Sequence, residues 1–264
     1  MIVPQNDLVA MRIANPDNSL TSSLGDSVMF SILRAFRIGA ALALFGLATF
    51  TFAADDDAKK QDAEKQADWI EMFNGKDLAG WVAEGVVEFQ DKDDRIKPVW
   101  SVQNGLLRCD GKGFGFLRFE TEVDDFTFHL EFRLGKDCNS GIGIRHLKYD
   151  LSKSTATRPS YSGYEIQLLD DSEKEASKNS TASLYRYVAP TANTVKPAGE
   201  WNSINIECIG PKIRVTLNGK LVQDVDQSQI EEIRNKPLKG FVSVQNHGKQ
   251  IEFKNLKLKK IKSQ

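Results

Sequence analysis

Residues Phe126–Leu134 read FTFHLEFRL. Phe126, Phe128, Leu130, Phe132 and Leu134 alternate with Thr127, His129, Glu131 and Arg133, a period of two that only an extended strand can use. One face of such a strand must be buried, so the Phe/Leu set belongs to a core and His129, Glu131 and Arg133 point away from it together. Working outward, the same texture recurs. Short apolar-alternating runs at 140–147, 164–169, 203–208, 213–217, 220–225, 240–245 and 250–258 are separated by Gly, Asn and Asp turns, the pattern of an antiparallel β protein. Asn218-Gly219 between two of them (IRVTLNGKLVQDV) predicts a two-residue hairpin, because a primed turn needs positive φ at both central positions. Residues 229–234 are the one candidate for a short helix.

Many short strands and almost no helical periodicity predict an all-β sandwich closing a single core over residues 69–262. The aromatic supply suits this, with 15 Phe, 5 Tyr and 4 Trp in 264 residues. The 35 basic and 36 acidic residues nearly cancel, so no strong field exists to recruit nucleic acid or an anionic membrane surface, and neither is expected as a partner. The three cysteines Cys109, Cys138 and Cys208 show no zinc-ligand spacing. In an oxidising compartment they admit one disulfide, whose pairing the sequence leaves open.

Ahead of the sandwich, residues 38–52 (IGAALALFGLATFTF) form an apolar run preceded by Arg34 and Arg37 and closed by Ala53-Ala54. A charged start, an apolar middle and a small-residue exit read as a secretory signal peptide over residues 29–54, with cleavage near Ala53. The run is shorter than the roughly 20 residues a spanning helix wants, so no integral membrane span is expected in the mature protein. Residues 1–28 are polar and patternless and are read as a disordered segment or one upstream of the true start, Met29. Residues 55–68 (DDDAKKQDAEKQAD) are a charged linker. The expected location is therefore secreted, periplasmic or at the cell envelope.

A series of phrases then carries a resemblance: FNGKDLAGW at 73–81, WSVQNGLL at 100–107, FTFHLEFR at 126–133, NSGIGIR at 139–145, GYEIQLLD at 163–170, GEWN at 199–202, LNG at 217–219, VQNHG at 244–248 and FKNLKLKKI at 253–261. In this order they resemble the 3-keto-disaccharide hydrolase domain family across nearly all of residues 69–262. The resemblance implies a concanavalin-like jelly-roll sandwich of two curved antiparallel sheets, with a substrate groove on the hollow sheet. It also implies action on glycosides oxidised to a ketone at the sugar's third carbon. One departure is visible. Thr181-Ala182-Ser183-Leu184-Tyr185 stands where such domains usually carry Thr-Gly, which leaves the geometry of one groove-edge loop open.

Strand alternation nominates the site. Gly141, Gly143 and Arg145 oppose Ile142, Ile144 and His146; Glu165 and Gln167 oppose Tyr164, Ile166 and Leu168; Gln245 and His247 oppose Val242 and Val244. If these strands share a sheet, its outer face holds His129, Glu131, Arg133, Arg145, Glu165, Gln167, Gln245 and His247. Glu165 is the leading base, because apolar and amide neighbours raise a carboxyl's pKa towards a useful value. His247 is the alternative acid/base or a loop cap, and Arg145 is a groove cation or a structural ion pair. His129, Glu131, Arg133, Gln167 and Gln245 are substrate-binding candidates, although Glu131 and Arg133 also read as a solvated charge ladder. His146, on the face of Ile142 and Ile144, is expected as a buried, hydrogen-bonded histidine, and Asn139 at a left-handed turn. No cofactor is required by the sequence; two histidines and two glutamates on one face would admit a divalent metal, without a ligand-spacing motif to demand it.

With a ketone at the third carbon, the proton on the second carbon becomes acidic. A base can remove it, the aglycone leaves the first carbon by elimination, and water then adds. The competing reading from another class is a non-catalytic, lectin-like carbohydrate-binding module on the same sandwich.

Overall fold

The computed structural model describes residues 68–261. The expected signal peptide, the segment before it and residues 55–67 of the expected linker lie outside the described residues. Fifteen strands follow in order: β1 (Trp69–Glu71), β2 (Trp81–Gly85), β3 (Glu88–Gln90), β4 (Ile96–Pro98), β5 (Trp100–Gln103), β6 (Leu106–Cys109), β7 (Phe114–Phe119), β8 (Phe126–Leu134), β9 (Asn139–His146), β10 (Tyr164–Leu169), β11 (Trp201–Ile209), β12 (Lys212–Leu217), β13 (Lys220–Asp226), β14 (Phe241–His247) and β15 (Ile251–Lys260). An eight-stranded antiparallel sheet runs β13-β12-β11-β8-β15-β6-β5, with β1 also pairing β15. A five-stranded sheet runs β10-β9-β14-β7-β2, and β3-β4 make a small ribbon.

β8 alternates buried and half-buried residues along its whole length, with the Phe/Leu set inside. Those side chains meet Ile204, Ile206 and Phe253 from their own sheet and Ile142, Ile144, Ile166, Val242 and Val244 from the other in one continuous core. Each fully buried Phe or Leu there supplies about 1.5–3 kcal/mol. The all-β sandwich expected from the sequence is the fold observed. The β12–β13 hairpin turns on Asn218 and Gly219 at φ 50° and 82°, as a primed turn requires. The helix expected over 229–234 is absent. A 3₁₀ turn at Gln227–Gln229 stands just before it, its start capped by the Asp226 carboxylate, and hydrogen-bonded turns follow. All three cysteines are buried free thiols. No helix of the described residues is long and apolar enough to cross a membrane.

Two expectations about faces fail. β8 pairs with β11 and β15, not with β9, β10 or β14. His129, Glu131 and Arg133 therefore lie on the outer face of the eight-stranded sheet, across the sandwich from Glu165 and Gln245. Strand alternation assigns each residue to one of two faces, but sheet membership is a long-range fact that alternation does not carry. The second failure is local. Between Gly143 and His146 the β9–β14 register slips, and Arg145 adopts φ 52°. This β-bulge reverses the alternation. Arg145 turns away from the glycine face, becomes fully buried, and donates to the Asp124 and Gly210 carbonyls and to the Asp125 carboxylate at 2.7–3.4 Å. Of its two readings, the structural anchor is the one observed. His146 is sent the other way, onto the outer face beside Phe116 and Phe241, where it is nonetheless buried and hydrogen-bonded, its Nδ1 2.6 Å from the Leu147 carbonyl, as expected.

Candidate active site

The outer face of the five-stranded sheet is set by register. Glu165 sits opposite Gly143, Gln167 opposite Gly141, and Gln245 and His247 opposite Phe116 and Phe114. This face is roofed, so Glu165, Gln167, Ser243 and Gln245 are all 5% exposed or less. The roof is the connection 147–163, from which Tyr149 packs edge-on against Phe114 and Phe116. An ion pair holds it down. Arg118 Nε donates to Glu84 Oε1 at 2.6 Å, and Glu84 Oε2 accepts the Tyr149 backbone N–H at 2.8 Å.

Under the roof lies a cleft of about 50 Å³ lined by Phe114, Asn139, Arg158, Ser160, Glu165, Gln167, Tyr185, Gln245 and His247. Glu165 is its centre. A Cβ on Gly141 would stand 2.7 Å from Glu165 Oε1, so the glycine is what makes room for the carboxyl. Gln245 Nε2 donates to that same oxygen at 3.0 Å. Burial pushes the Glu165 pKa up to about 7, against the pull of Gln245 and of the Arg158 and Arg186 charges. A carboxyl so poised is half ionised near neutrality and can take or return a proton.

Around it, hydrogen-bonding capacity is left over. Gln167 Nε2 donates to Asn139 Oδ1 at 3.3 Å, but Gln167 Oε1, Gln245 Oε1 and Arg158 Nε are buried with no partner in the protein. Buried polar atoms are normally paired, so three orphans beside one high-pKa carboxyl mark a place built to receive a polar ligand. The Arg158 guanidinium lies 4.5 Å from the centre of the Phe114 ring, and the His247 ring meets the same Phe114 edge-on at 5.3 Å.

The structure thus brings together Glu165, Gln167, Gln245 and His247 of the eight nominated residues. It separates Arg145 and, on the far sheet, His129, Glu131 and Arg133. Arg158 stands where Arg145 was expected, and Asn139 lines the cleft, the left-handed position falling to Asp137 at φ 56°. Tyr185 comes from a loop, and Arg158 and Ser160 from the junction and the second of two one-turn helices, Ser154–Thr157 and Pro159–Ser162, all too short to leave a periodicity to read. The one available signal was length, since connections beyond about 12–15 residues are commonly functional. Ala182, the departure noted above, keeps a glycine-like conformation at φ 65°, its N–H donating to the Gln167 carbonyl at 2.8 Å. The four-residue metal face does not exist, because His129 and Glu131 are on the other sheet. Among the described residues no three His, Cys, Asp or Glu side chains converge to hold an ion.

The profile of the 3-keto-alpha-glucoside-1,2-lyase-like domain matches residues 68–259. The chain belongs to this family. A relative called 3-keto-disaccharide hydrolase, from Bacteroides thetaiotaomicron, is 25% identical over 232 residues, which cover 72% of this chain and 78% of the relative. Two solved structures from Parabacteroides distasonis, both provisionally named glycosyl hydrolases, share the fold. One has a TM-score of 0.62 at 23% identity, covering 76% of this chain and 97% of its own. The other has a TM-score of 0.57 at 24% identity, covering 73% and 99%.

Proposed function

We propose that this domain is an exported glycoside-cleaving enzyme acting on 3-keto-disaccharides or related 3-keto-glycosides. The observation that carries the reading is Glu165: a buried carboxyl with its pKa near 7, hydrogen-bonded by Gln245 and surrounded by unpartnered amide oxygens and a guanidinium N–H. The family and the B. thetaiotaomicron relative supply the substrate class. Export rests on the signal-like residues 29–54.

Ionised Glu165 removes the proton from the second carbon of the bound sugar, and the electron pair moves onto the ketone oxygen as an enolate. The unpaired Arg158 N–H donates to that oxygen; a positioned donor of this kind is worth about 3 kcal/mol. The enolate collapses to restore the ketone, a double bond forms between the first and second carbons, and the bond to the aglycone oxygen breaks. That oxygen takes a proton from His247 or from Glu165, now protonated. Water then adds at the first carbon and a proton returns to the second, so the sum is hydrolysis. The orphan oxygens of Gln167 and Gln245 accept from the sugar's hydroxyls and hold it in register.

An assay of the mature protein on a 3-keto-disaccharide and on the same disaccharide unoxidised tests this. Release of both sugars from the oxidised substrate alone is expected. Equal cleavage of the unoxidised disaccharide would point to an ordinary glycosidase, and binding without cleavage of either to a carbohydrate-binding module.

A further inference from the structure

The cleft's size raises a question that the chemistry of Glu165 does not answer. At about 50 Å³ it is far smaller than the roughly 300–1,000 Å³ of sites that enclose a whole small-molecule ligand. It can seat the reacting part of one sugar ring, and a second ring must lie outside, against whatever the rim offers. A one-turn helix, Pro159–Ser162, and the loop carrying Tyr185 form that rim, and their cleft-lining residues Ser160 and Tyr185 are each followed by a residue turned to solvent. Tyr161 is 42% exposed, and the Arg186 guanidinium lies 4.5 Å from the centre of its ring.

This pair is held in advance. Lys236 Nζ donates to the Tyr161 and Gly163 carbonyls, both at 2.7 Å, and sits over the Tyr164 and Tyr187 rings. Tyr187 OH donates to the Ser160 carbonyl at 3.4 Å, tying one rim segment to the other. Arg186 adopts φ 67°, in the left-handed region that disfavours a residue with a Cβ. The turn around it is closed by the Tyr187 and Val188 N–H groups, which donate to the Leu184 carbonyl at 2.8 and 3.0 Å, so the Arg186 side chain leaves from a fixed backbone. The Arg186 charge also reaches Glu165, so the rim and the reacting centre are within electrostatic range.

We propose that Tyr161 and Arg186 form the subsite for the leaving half of the substrate, a pyranose ring that packs its C–H groups against the open edge of the Tyr161–Arg186 stack and whose hydroxyl oxygens accept hydrogen bonds from the Arg186 N–H groups. This rests on the functional reading above and deepens it, making the enzyme selective for glycosides whose aglycone is itself a sugar. An aromatic ring edge with a planar, multi-donor cation stacked over it fits a neutral polyol ring; a small alkyl aglycone reaches neither group.

The test compares KM and kcat for a 3-keto-disaccharide and for methyl 3-keto-glucoside, in the wild-type protein and in Tyr161→Ala, Tyr161→Phe and Arg186→Asn. Asparagine tolerates the left-handed backbone at 186. The expected result is a preference for the disaccharide that falls about tenfold in Tyr161→Ala and Arg186→Asn through KM, and that Tyr161→Phe retains. A preference unchanged in both variants, or equal losses on both substrates, would overturn the subsite while leaving the function of Glu165 standing. Should the wild type cleave neither substrate, the functional reading falls. The rim is then judged by calorimetric binding of the unoxidised disaccharide against methyl glucoside: a Tyr161-dependent preference supports it, and no preference overturns it.

Discussion

Glu131 and Glu165 are carboxylates on the outer faces of the two sheets of one sandwich, and they have opposite fates. On the eight-stranded sheet, burial tends to raise the Glu131 pKa, but Asn255, donating at 2.6 Å, and Lys254 at 3.2 Å outweigh it and hold the carboxyl below its usual range. Its neighbours are equally content. Arg133 pairs with Glu252 at 2.6 Å and lies over Trp201, and His129 Nδ1 shares a 2.9 Å hydrogen bond with Asn205. On the five-stranded sheet the roof removes water, the glycines remove side chains, and burial outweighs the Gln245 amide and the Ser160 hydroxyl, leaving Glu165 with a pKa near 7. The lesson is that a polar face gains chemistry where its groups are dry and incompletely paired, and is ordinary surface where they are wet and matched.

The sharpest way to break this contrast is to neutralise each carboxylate. Glu165→Gln is expected to lower kcat/KM about 10³–10⁴-fold, within the range for a lost general base, whereas Glu131→Gln should stay within about twofold in the same assay, its carboxylate touching no substrate. Next in size are the two arginines. Arg158→Met should cost about 10²–10³ in kcat, the loss typical of one oxyanion donor, while Arg133→Met should leave turnover of the 3-keto substrate where it was, measured side by side.

The stability of the same variants sharpens the comparison with opposite signs. Glu165 has its pKa raised in the folded protein from 4.5 to about 7. The folded state therefore favours its neutral form, and that advantage is complete below pH 4.5 and lost as pH rises through 7. Replacement by neutral glutamine should thus stabilise the protein above pH 7, by on the order of 3 kcal/mol at pH 8, with the gain vanishing below pH 4.5 in denaturant titrations. Wild-type kcat/KM should fall with the same group, about tenfold per unit below pH 7. Smallest of all, Glu131→Gln should change stability by about 1 kcal/mol or less, as expected for a half-exposed ion pair.

Much of this was legible in the chain. The nine-residue alternation of Phe126–Leu134, the Asn218-Gly219 turn and the Tyr164–Leu169 strand are written in local pattern, and alternation around Glu165 correctly turned it away from the core. What could not be read was which strands share a sheet, since β8 and β10 show the same period and differ only in distant partners. Nor could the bulge at Arg145, where nothing in GIGIRHL announces a left-handed arginine. That one residue exchanged the faces of Arg145 and His146 and sent the expected groove cation into the joint between the sheets. The actual cation, Arg158, is carried by a connection whose place is fixed by Glu84 and Tyr149, a contact that spans 65 residues of sequence.

Incorporation of deuterium tests the central claim most directly. Cleavage of a 3-keto-disaccharide by the wild-type protein in D₂O, with the product's second carbon followed by NMR, should give one deuterium there per bond broken, at a rate well above exchange in the substrate incubated alone. Full turnover with the original hydrogen kept at that carbon, and with no primary isotope effect when the substrate is deuterated there, would mean that the glycosidic bond breaks without Glu165 ever taking that proton.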